Sequence, residues 1–368
     1  MEKINKLRMV LTIALLGVFL AAFSLWAVLK PADAFSEAER RTLAQMPAAT
    51  GQTLLSGTFA DRFEDYATDQ FPLRGEFRTL KAFTATGLLH QRDNNGLYRV
   101  GDHLAKLEYP MNESSLENAA TRFGYLYETY LKEAGARVYF SLIPDKNFFM
   151  AAPNGYPSMD YTAFADDLQQ KLPYMKYIDL FDLLELEDYY RTDAHWRQEK
   201  LLPVAARLAN GMGLTLTGSY TQKTLEKPFY GVYYGQAALP IAPEPMNYLT
   251  GGAIDAATVY NYETDTTGGV YDMEKAVGHD PYEMFLSGSV SLLRIENPQN
   301  TSGRRLVMFR DSFGSSLTPL LIEGYSSITL VDIRYLASNR LGKYVDFTDC
   351  DVLFLYSTGV LNNSDTLK

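Results

Sequence analysis

The sequence predicts an α/β fold with a mostly parallel sheet, a β-rich insertion and one preceding N-terminal transmembrane helix. Three observations predict it. An uncharged apolar run opens the chain; short apolar runs alternate with helical periodicity from residue 111 onward; and a Gly-, Thr-, Tyr- and Pro-rich stretch interrupts that alternation at about 213–301.

The apolar run, Met9 to Leu29, contains no charge, and at ~1.5 Å per residue it crosses a ~30 Å hydrocarbon layer. Lys3, Lys6 and Arg8 precede it, so the positive-inside rule keeps that end cytoplasmic and places everything after Lys30 outside. Trp26 suits the interfacial belt. Residues 1–30 therefore read as a cytoplasmic stub and signal anchor, localising a single-pass protein to the cell membrane with its bulk extracytoplasmic. A cleaved signal peptide is the alternative: Ala32-Asp33-Ala34 has the small-x-small form, although the run exceeds the usual h-region of about 7–15 residues.

Residues 31–110 read as a connecting region. A charged segment over 34–47 leads to a polar helix at about Thr58 to Leu88, with Pro72 near a helix start or break because it cannot donate a backbone hydrogen bond. Gly96 to Leu107 has the alternation and turn residues of a hairpin.

Residues 111–368 read as the α/β domain. Phe123, Leu126, Tyr127, Tyr130 and Leu131 recur at helical spacing within Glu113–Ala134, and Gly135 terminates that helix. Ala136 to Ile143 is a buried strand ending at Pro144-Asp145-Lys146. Phe164 to Leu172 reads as helix, Tyr177 to Leu180 as a short strand and Lys200 to Met212 as helix. After the insertion come a strand at Arg305–Phe309, a helix at Ser315–Gly324, and strands at Ser327–Val331 and Val352–Tyr356.

Hydrophobic residues at 46%, with 26 Tyr and 20 Phe, describe a folded chain. Tyrosine suits carbohydrate surfaces as well as amphipathic core filling, and composition leaves both open. A net charge of −10 without a long basic run argues against a nucleic-acid partner. The single cysteine, Cys350, allows no intramolecular disulfide and reads as a small buried residue. No HExxH-type spacing occurs, and neither a metal nor a cofactor is expected.

Two segments carry chemistry. In Tyr190-Arg191-Thr192-Asp193-Ala194-His195-Trp196, an extended loop projects residues i and i+2 to one side, so the Asp193 carboxylate can orient the His195 imidazole as a general base. In Leu306 to Gly314, an apolar strand delivers Ser312 to the start of a helix, in the crevice where open α/β sheets bind ligands. The helix N-terminus there offers N–H groups to an oxyanion, and Gly314 keeps the approach open. Taken singly, Ser312 could be a helix cap and His195 a buried structural histidine. Together they supply nucleophile, base and orienter. His90, His103 and His279 lack such company and read as surface residues. Lys146, Arg310 and Tyr356 are secondary candidates: Lys146 for an oxyanion or acidic sugar, Arg310 as a buttress, and Tyr356 for a site-lining position.

Phe35-Ser36-Glu37 through Arg41, Phe63-Glu64 through Arg74, Pro144-Asp145-Lys146, Asp193 to Trp196, Phe229-Tyr230-Gly231 and Arg310 to Phe313 jointly resemble the DHHW family, which is related to the SGNH-hydrolase-like proteins of alginate O-acetylation. The resemblance departs at Ala194, which stands where the name-giving motif has its first histidine. It implies an SGNH-hydrolase-like, flavodoxin-like three-layer fold in circularly permuted order and a Ser312–His195–Asp193 triad. It further implies an O-acetyltransferase acting on a cell-surface or exported polysaccharide, beside a membrane-bound O-acyltransferase partner. The same triad serves a carbohydrate esterase when water is the acceptor, and a non-catalytic glycan-binding or export module is the alternative from a different class.

Overall fold

The computed structural model describes residues 2–368, with side-chain surroundings from residue 5 onward. The chain divides into two compact units, residues 1–95 with 234–240, and residues 96–233 with 241–368.

The smaller unit begins with α1 (Glu2–Leu29), in which Asn5–Leu29 is long and apolar enough to cross a membrane. β1 (Phe35–Ser36) pairs antiparallel with β2 (Arg41–Thr42), and three helices follow: α2 (Gly51–Leu55), α3 (Thr58–Asp69) and α4 (Arg74–Phe83). The single helix expected over 58–88 is thus broken. Pro72 lies in the break, and Leu73 turns the chain through a left-handed φ of 56°. α4 then continues as a π-helical turn, Thr84–Leu88. The residues quoted around Glu37 and Arg74 meet in an ion-pair network. Glu39 pairs with Arg74 and lies 3.3 Å from Arg78, while Asp69 lies 2.5 Å from Arg41. The Arg41 guanidinium holds the Asp69 carboxyl down at about 2.

From Gly96 onward the elements are β3 (Leu97–Val100), β4 (His103–Lys106), α5 (Glu113–Leu126), β5 (Arg137–Ile143), α6 (Lys146–Met150), α7 (Tyr161–Lys171), β6 (Lys176–Tyr177) and α8 (Leu202–Gly211). β7 (Thr221–Thr224), α9 (Val232–Ala237), β8 (Asn247–Thr250), α10 (Gly252–Ala256), β9 (Thr258–Asn261), β10 (Thr266–Gly268), α11 (Met273–Ala276) and β11 (Leu292–Glu296) come next. β12 (Arg305–Arg310), α12 (Phe313–Leu317), β13 (Ser327–Val331), β14 (Asp351–Ser357) and α13 (Thr358–Asn362) complete the order.

One large mixed sheet of eight strands, in the order β10-β9-β11-β13-β12-β14-β5-β6, forms the frame of the larger unit. The five strands from β13 to β6 are parallel, and β11, β9 and β10 extend the sheet antiparallel from the β13 edge. Much of the stretch read as an insertion therefore joins the main sheet, while β7 and β8 pair separately. β6 is shorter than expected: Ile178 N still bonds Phe140 O, but a 3₁₀ turn at Phe181–Leu183 follows.

The central strands are continuous apolar runs because both faces are covered, and successive side chains enter opposite cores. Leu306, Met308, Leu353 and Leu355 pack with Val204 and Leu208 of α8. Val307, Phe309, Val352, Phe354 and Tyr356 pack with Phe123 of α5 and Phe164 of α7. Cys350 is fully buried, and burial pushes its thiol up to about 11. The parallel register pairs Arg310 with Leu355 and Ser357 with Ile143, so the segments leaving β12, β14 and β5 emerge side by side at one sheet edge.

Candidate active site

From Asp311 to Leu320 every residue is buried except Ser312. The backbone at Ser312 is ordinary right-handed helical (φ −62°, ψ −23°), and its hydroxyl caps no helix. The Ser312 Oγ lies instead 2.8 Å from His195 Nε2, and His195 Nδ1 lies 2.6 Å from Asp193 Oδ1. One chain of contacts thus joins a hydroxyl, an imidazole and a carboxylate, an arrangement that can supply a nucleophile, a base and its orienter. The Asp193 side chain is buried, while the imidazole keeps 17% of its surface exposed at the cavity wall.

Each member is held by its backbone surroundings. The Asp193–His195 pair arises from a local turn rather than from the extended loop expected: the His195 N–H donates to Asp193 Oδ1 at 3.1 Å, and Tyr190 N–H donates to His195 O at 3.0 Å. The second Asp193 oxygen accepts from Val232 N–H at 2.9 Å. Gly231 makes that approach possible, because a Cβ there would collide with the carbonyl of Thr192 and with Asp193. Its own N–H donates to Thr192 Oγ1 at 2.8 Å, which gives Phe229-Tyr230-Gly231 a physical reason.

On the other side, Asp311 fastens the serine turn. Its Oδ1 accepts from Phe313 N–H at 3.0 Å, its Oδ2 from Ser357 N–H at 2.7 Å, and its carbonyl from Gly314 N–H at 3.1 Å. These bonds correct the expectation for the helix N-terminus, since the Phe313 and Gly314 N–H groups are already engaged. Trp196 joins the two segments: fully buried, its Nε1–H reaches Phe313 O at 3.1 Å and Ser316 Oγ at 3.0 Å.

The secondary candidates separate. Lys146 lines the cavity, but its ammonium is buried beneath the 190–193 loop, donating to the carbonyls of Tyr190 and Arg191 at 2.9 Å, of Asp193 at 3.2 Å and of Leu104. Burial draws its pKa down to about 7, with Asp193 acting in the opposite direction. Arg310 lies outside the cavity. It is completely buried 3.8 Å from Asp332, and Gly314 accommodates it, since a Cβ at Gly314 would come within 2.8 Å of the arginine Cβ. Gly314 therefore makes room for Arg310 rather than for a ligand. Tyr356 points into the core, because strand alternation puts it against Phe123 at a ring-centroid distance of 5.2 Å. His90 and His279 are exposed, whereas His103 is half-buried, and burial, Lys146 and Arg197 together lower its pKa to about 4.

Two contributors lie beyond the sequence reading. Tyr282 stacks on the His195 ring and bonds Ser316 Oγ at 2.8 Å, although nothing in Pro281-Tyr282-Glu283 marks it. Asp145 accepts from Tyr161 Oη at 2.9 Å and Thr358 Oγ1 at 2.8 Å, tying the end of β5 to α13; its place in Pro144-Asp145-Lys146 is the signal that could have found it.

The cavity at Ser312 measures about 240 Å³ and includes Lys106, Glu108, Asp145, Tyr233, Ser357 and Gly359 in its walls. Two larger hollows of about 590 Å³ each share Lys106 and Glu108 with it. One is flanked by the exposed ring of Tyr109 and the other by that of Tyr335. Burial raises the Glu108 carboxyl above its ordinary range. Among the described residues, no group of three His, Cys, Asp or Glu side chains is placed to hold a metal ion.

No family model and no curated protein matches the chain. Solved structures do. A DHHW family protein from Eubacterium siraeum matches at a TM-score of 0.59 and 21% identity, covering 75% of this chain and 97% of its own. Bacillus cereus PatB1 with a sulfonyl adduct matches at 0.55 and 17% identity, covering 72% of this chain and 97% of its own. These likenesses show a shared fold. The O-acetyltransferase domain of Pseudomonas putida AlgJ is a more distant match, at 0.41 and 14% identity over 68% of this chain and 84% of its own.

Proposed function

We propose that this chain is a membrane-anchored, extracytoplasmic SGNH-like O-acetyltransferase that modifies a polysaccharide through Ser312, His195 and Asp193. The observation that carries the reading is the unbroken line from Asp193 Oδ1 through His195 to Ser312 Oγ, ending at the one accessible residue of an otherwise buried turn. His195 Nε2 takes the Ser312 proton as Oγ attacks the donor's acyl carbonyl. The tetrahedral intermediate then collapses, the C–O or C–S bond to the leaving group breaks, and the imidazolium protonates that group. In the second half, an acceptor hydroxyl loses its proton to His195 and attacks the acyl-serine, and the proton returns to Ser312 Oγ.

The sequence resemblance supports a glycan acceptor, and so do the two hollows that share walls with the serine cavity, each with an exposed tyrosine on which a sugar ring can stack. PatB1, which has the same fold, has been captured with a sulfonyl adduct, so a sulfonyl fluoride is the natural probe for Ser312. A carbohydrate esterase is the second reading, because the geometry at Ser312 serves water equally well. We place a membrane-bound O-acyltransferase beside this chain as donor partner on the resemblance alone.

The test is turnover of p-nitrophenyl acetate by the full chain in detergent, with and without oligosaccharide acceptors, for wild type, Ser312→Ala and His195→Ala. Acetylated sugar formed by wild type and abolished in both variants establishes the transferase. Acetate release alone establishes the esterase. Equal background rates in all three proteins, with no sulfonyl labelling of Ser312, would sink both in favour of a glycan-binding module.

A further inference from the structure

The smaller unit wears its apolar residues outside. Along the helix from Arg74 to Leu88, the positions turned inward are Ala82 and Ala85, whereas Leu80, Phe83 and Leu88 are 58%, 66% and 69% exposed. Leu73, Phe77 and Leu89 add to the same exposed set, and Leu54, Leu55 and Phe63 are exposed on the two preceding helices. A helix facing water has the opposite arrangement. An exposed apolar helix face of this kind marks an interaction site.

What covers it follows from where it meets α1. Phe71 stacks on Phe23 with ring centroids 5.4 Å apart and planes 7° apart, and Phe77 meets the same ring edge-on at 5.8 Å. Phe23 lies six residues before Leu29, the outer end of the apolar helix, which is about 9 Å along the axis at 1.5 Å per residue. Amphipathic helices that lie in a membrane surface bury their apolar face about 5–10 Å into the headgroup and acyl boundary. With α1 spanning the bilayer, the α3–α4 corner is already at that depth.

We infer that the apolar face of α4 and its π-helical extension inserts into the outer leaflet beside α1, making this unit a second, monotopic membrane attachment. The occupant is lipid rather than water or a protein surface. The inference rests on the anchor reading of α1, not on the chemistry at Ser312.

The test uses the full chain in vesicles of phosphatidylethanolamine and phosphatidylglycerol. Nitroxide labels are attached at Leu80→Cys, Phe83→Cys or Leu88→Cys, with Leu16→Cys as the transmembrane control and Thr264→Cys as the exposed control. The native Cys350 is fully buried and does not compete for label. Accessibility to oxygen, which concentrates in lipid, is compared with accessibility to a water-soluble nickel chelate. Labels at 80, 83 and 88 are expected to share the oxygen-dominated ratio of Leu16, the reverse of Thr264. A nickel-dominated ratio at these three sites, with Leu16 still in lipid, overturns the inference. Protection from both reagents also overturns it, in favour of a protein partner or a second copy. A nickel-dominated ratio at Leu16 removes the anchor itself, and the inference falls with it.

Discussion

Tyr282 lies flat against the imidazole of His195, with ring centroids 3.9 Å apart and planes 14° apart. The stack fixes the ring plane that Asp193 and Ser312 share, while the buried Tyr282 hydroxyl bonds Ser316 Oγ on α12. Replacing Tyr282 by Leu should lower acyl turnover roughly 10- to 100-fold by letting the imidazole rotate, because misplacement of about 1 Å costs that much. Tyr282→Phe keeps the stack and should retain most of the rate. Steady-state kinetics of the two variants checks the difference, and equal losses would show that the hydroxyl rather than the stack matters.

Asp193→Asn should leave the fold intact and reduce kcat by about 10³- to 10⁴-fold, the scale on which a triad carboxylate acts through the histidine tautomer. Thermal unfolding of the variant should match wild type within a few degrees. A near-wild-type kcat would remove Asp193 from the mechanism.

Gly231→Ala places a methyl group against the Thr192 carbonyl and Asp193, so the carboxylate must shift. We expect turnover to drop as sharply as in Asp193→Asn, with sulfonyl labelling of Ser312 slowed in parallel. Wild-type labelling kinetics would count against the close packing seen here.

Tyr335→Ala should raise KM for long oligosaccharide acceptors several-fold, since stacking on one sugar ring is worth about 1 kcal/mol. Hydrolysis of p-nitrophenyl acetate should not change. A change in the small ester as well would place Tyr335 in the reacting site rather than in the adjoining hollow.

His103 gives a pH signature. Its folded pKa of about 4 lies below the ordinary histidine value, so between roughly pH 6.5 and pH 4 the unfolded chain binds more protons and stability falls with pH. After allowance for its partial exposure, the contribution is about 1–2 kcal/mol, complete near pH 4 and absent above pH 7. Urea unfolding at pH 4.5 and 7 should show a smaller acid loss in His103→Gln than in wild type. Identical losses would assign the acid sensitivity to carboxylates alone.

The sheet strands were legible because β5, β12 and β14 are buried on both faces and therefore read as unbroken apolar runs. The proximity of His195 and Ser312 was legible from two local patterns, a strand-end serine and an acid two residues before a histidine. Their supports were not, because those depend on contacts distant in sequence. Asp311 reaches Ser357, Val232 reaches Asp193, and Tyr282 arrives from a stretch whose composition announces only turns. Tyr356 was misplaced for a simpler reason: a strand-end position does not reveal which face a side chain takes until the register is known.

The order of strands bears on how activity is acquired. β14 follows β12 by some forty residues, yet it lies between β12 and β5, and its end supplies the Ser357 N–H that anchors Asp311. A chain that folds in sequence order would therefore hold the histidine loop and the serine turn before the slot between β12 and β5 is filled. Until that strand arrives, Asp311 lacks the bond that ties the serine turn to the end of β14. The surroundings of Ser312 are thus completed only by the last strand of the chain, which inserts between two that precede it.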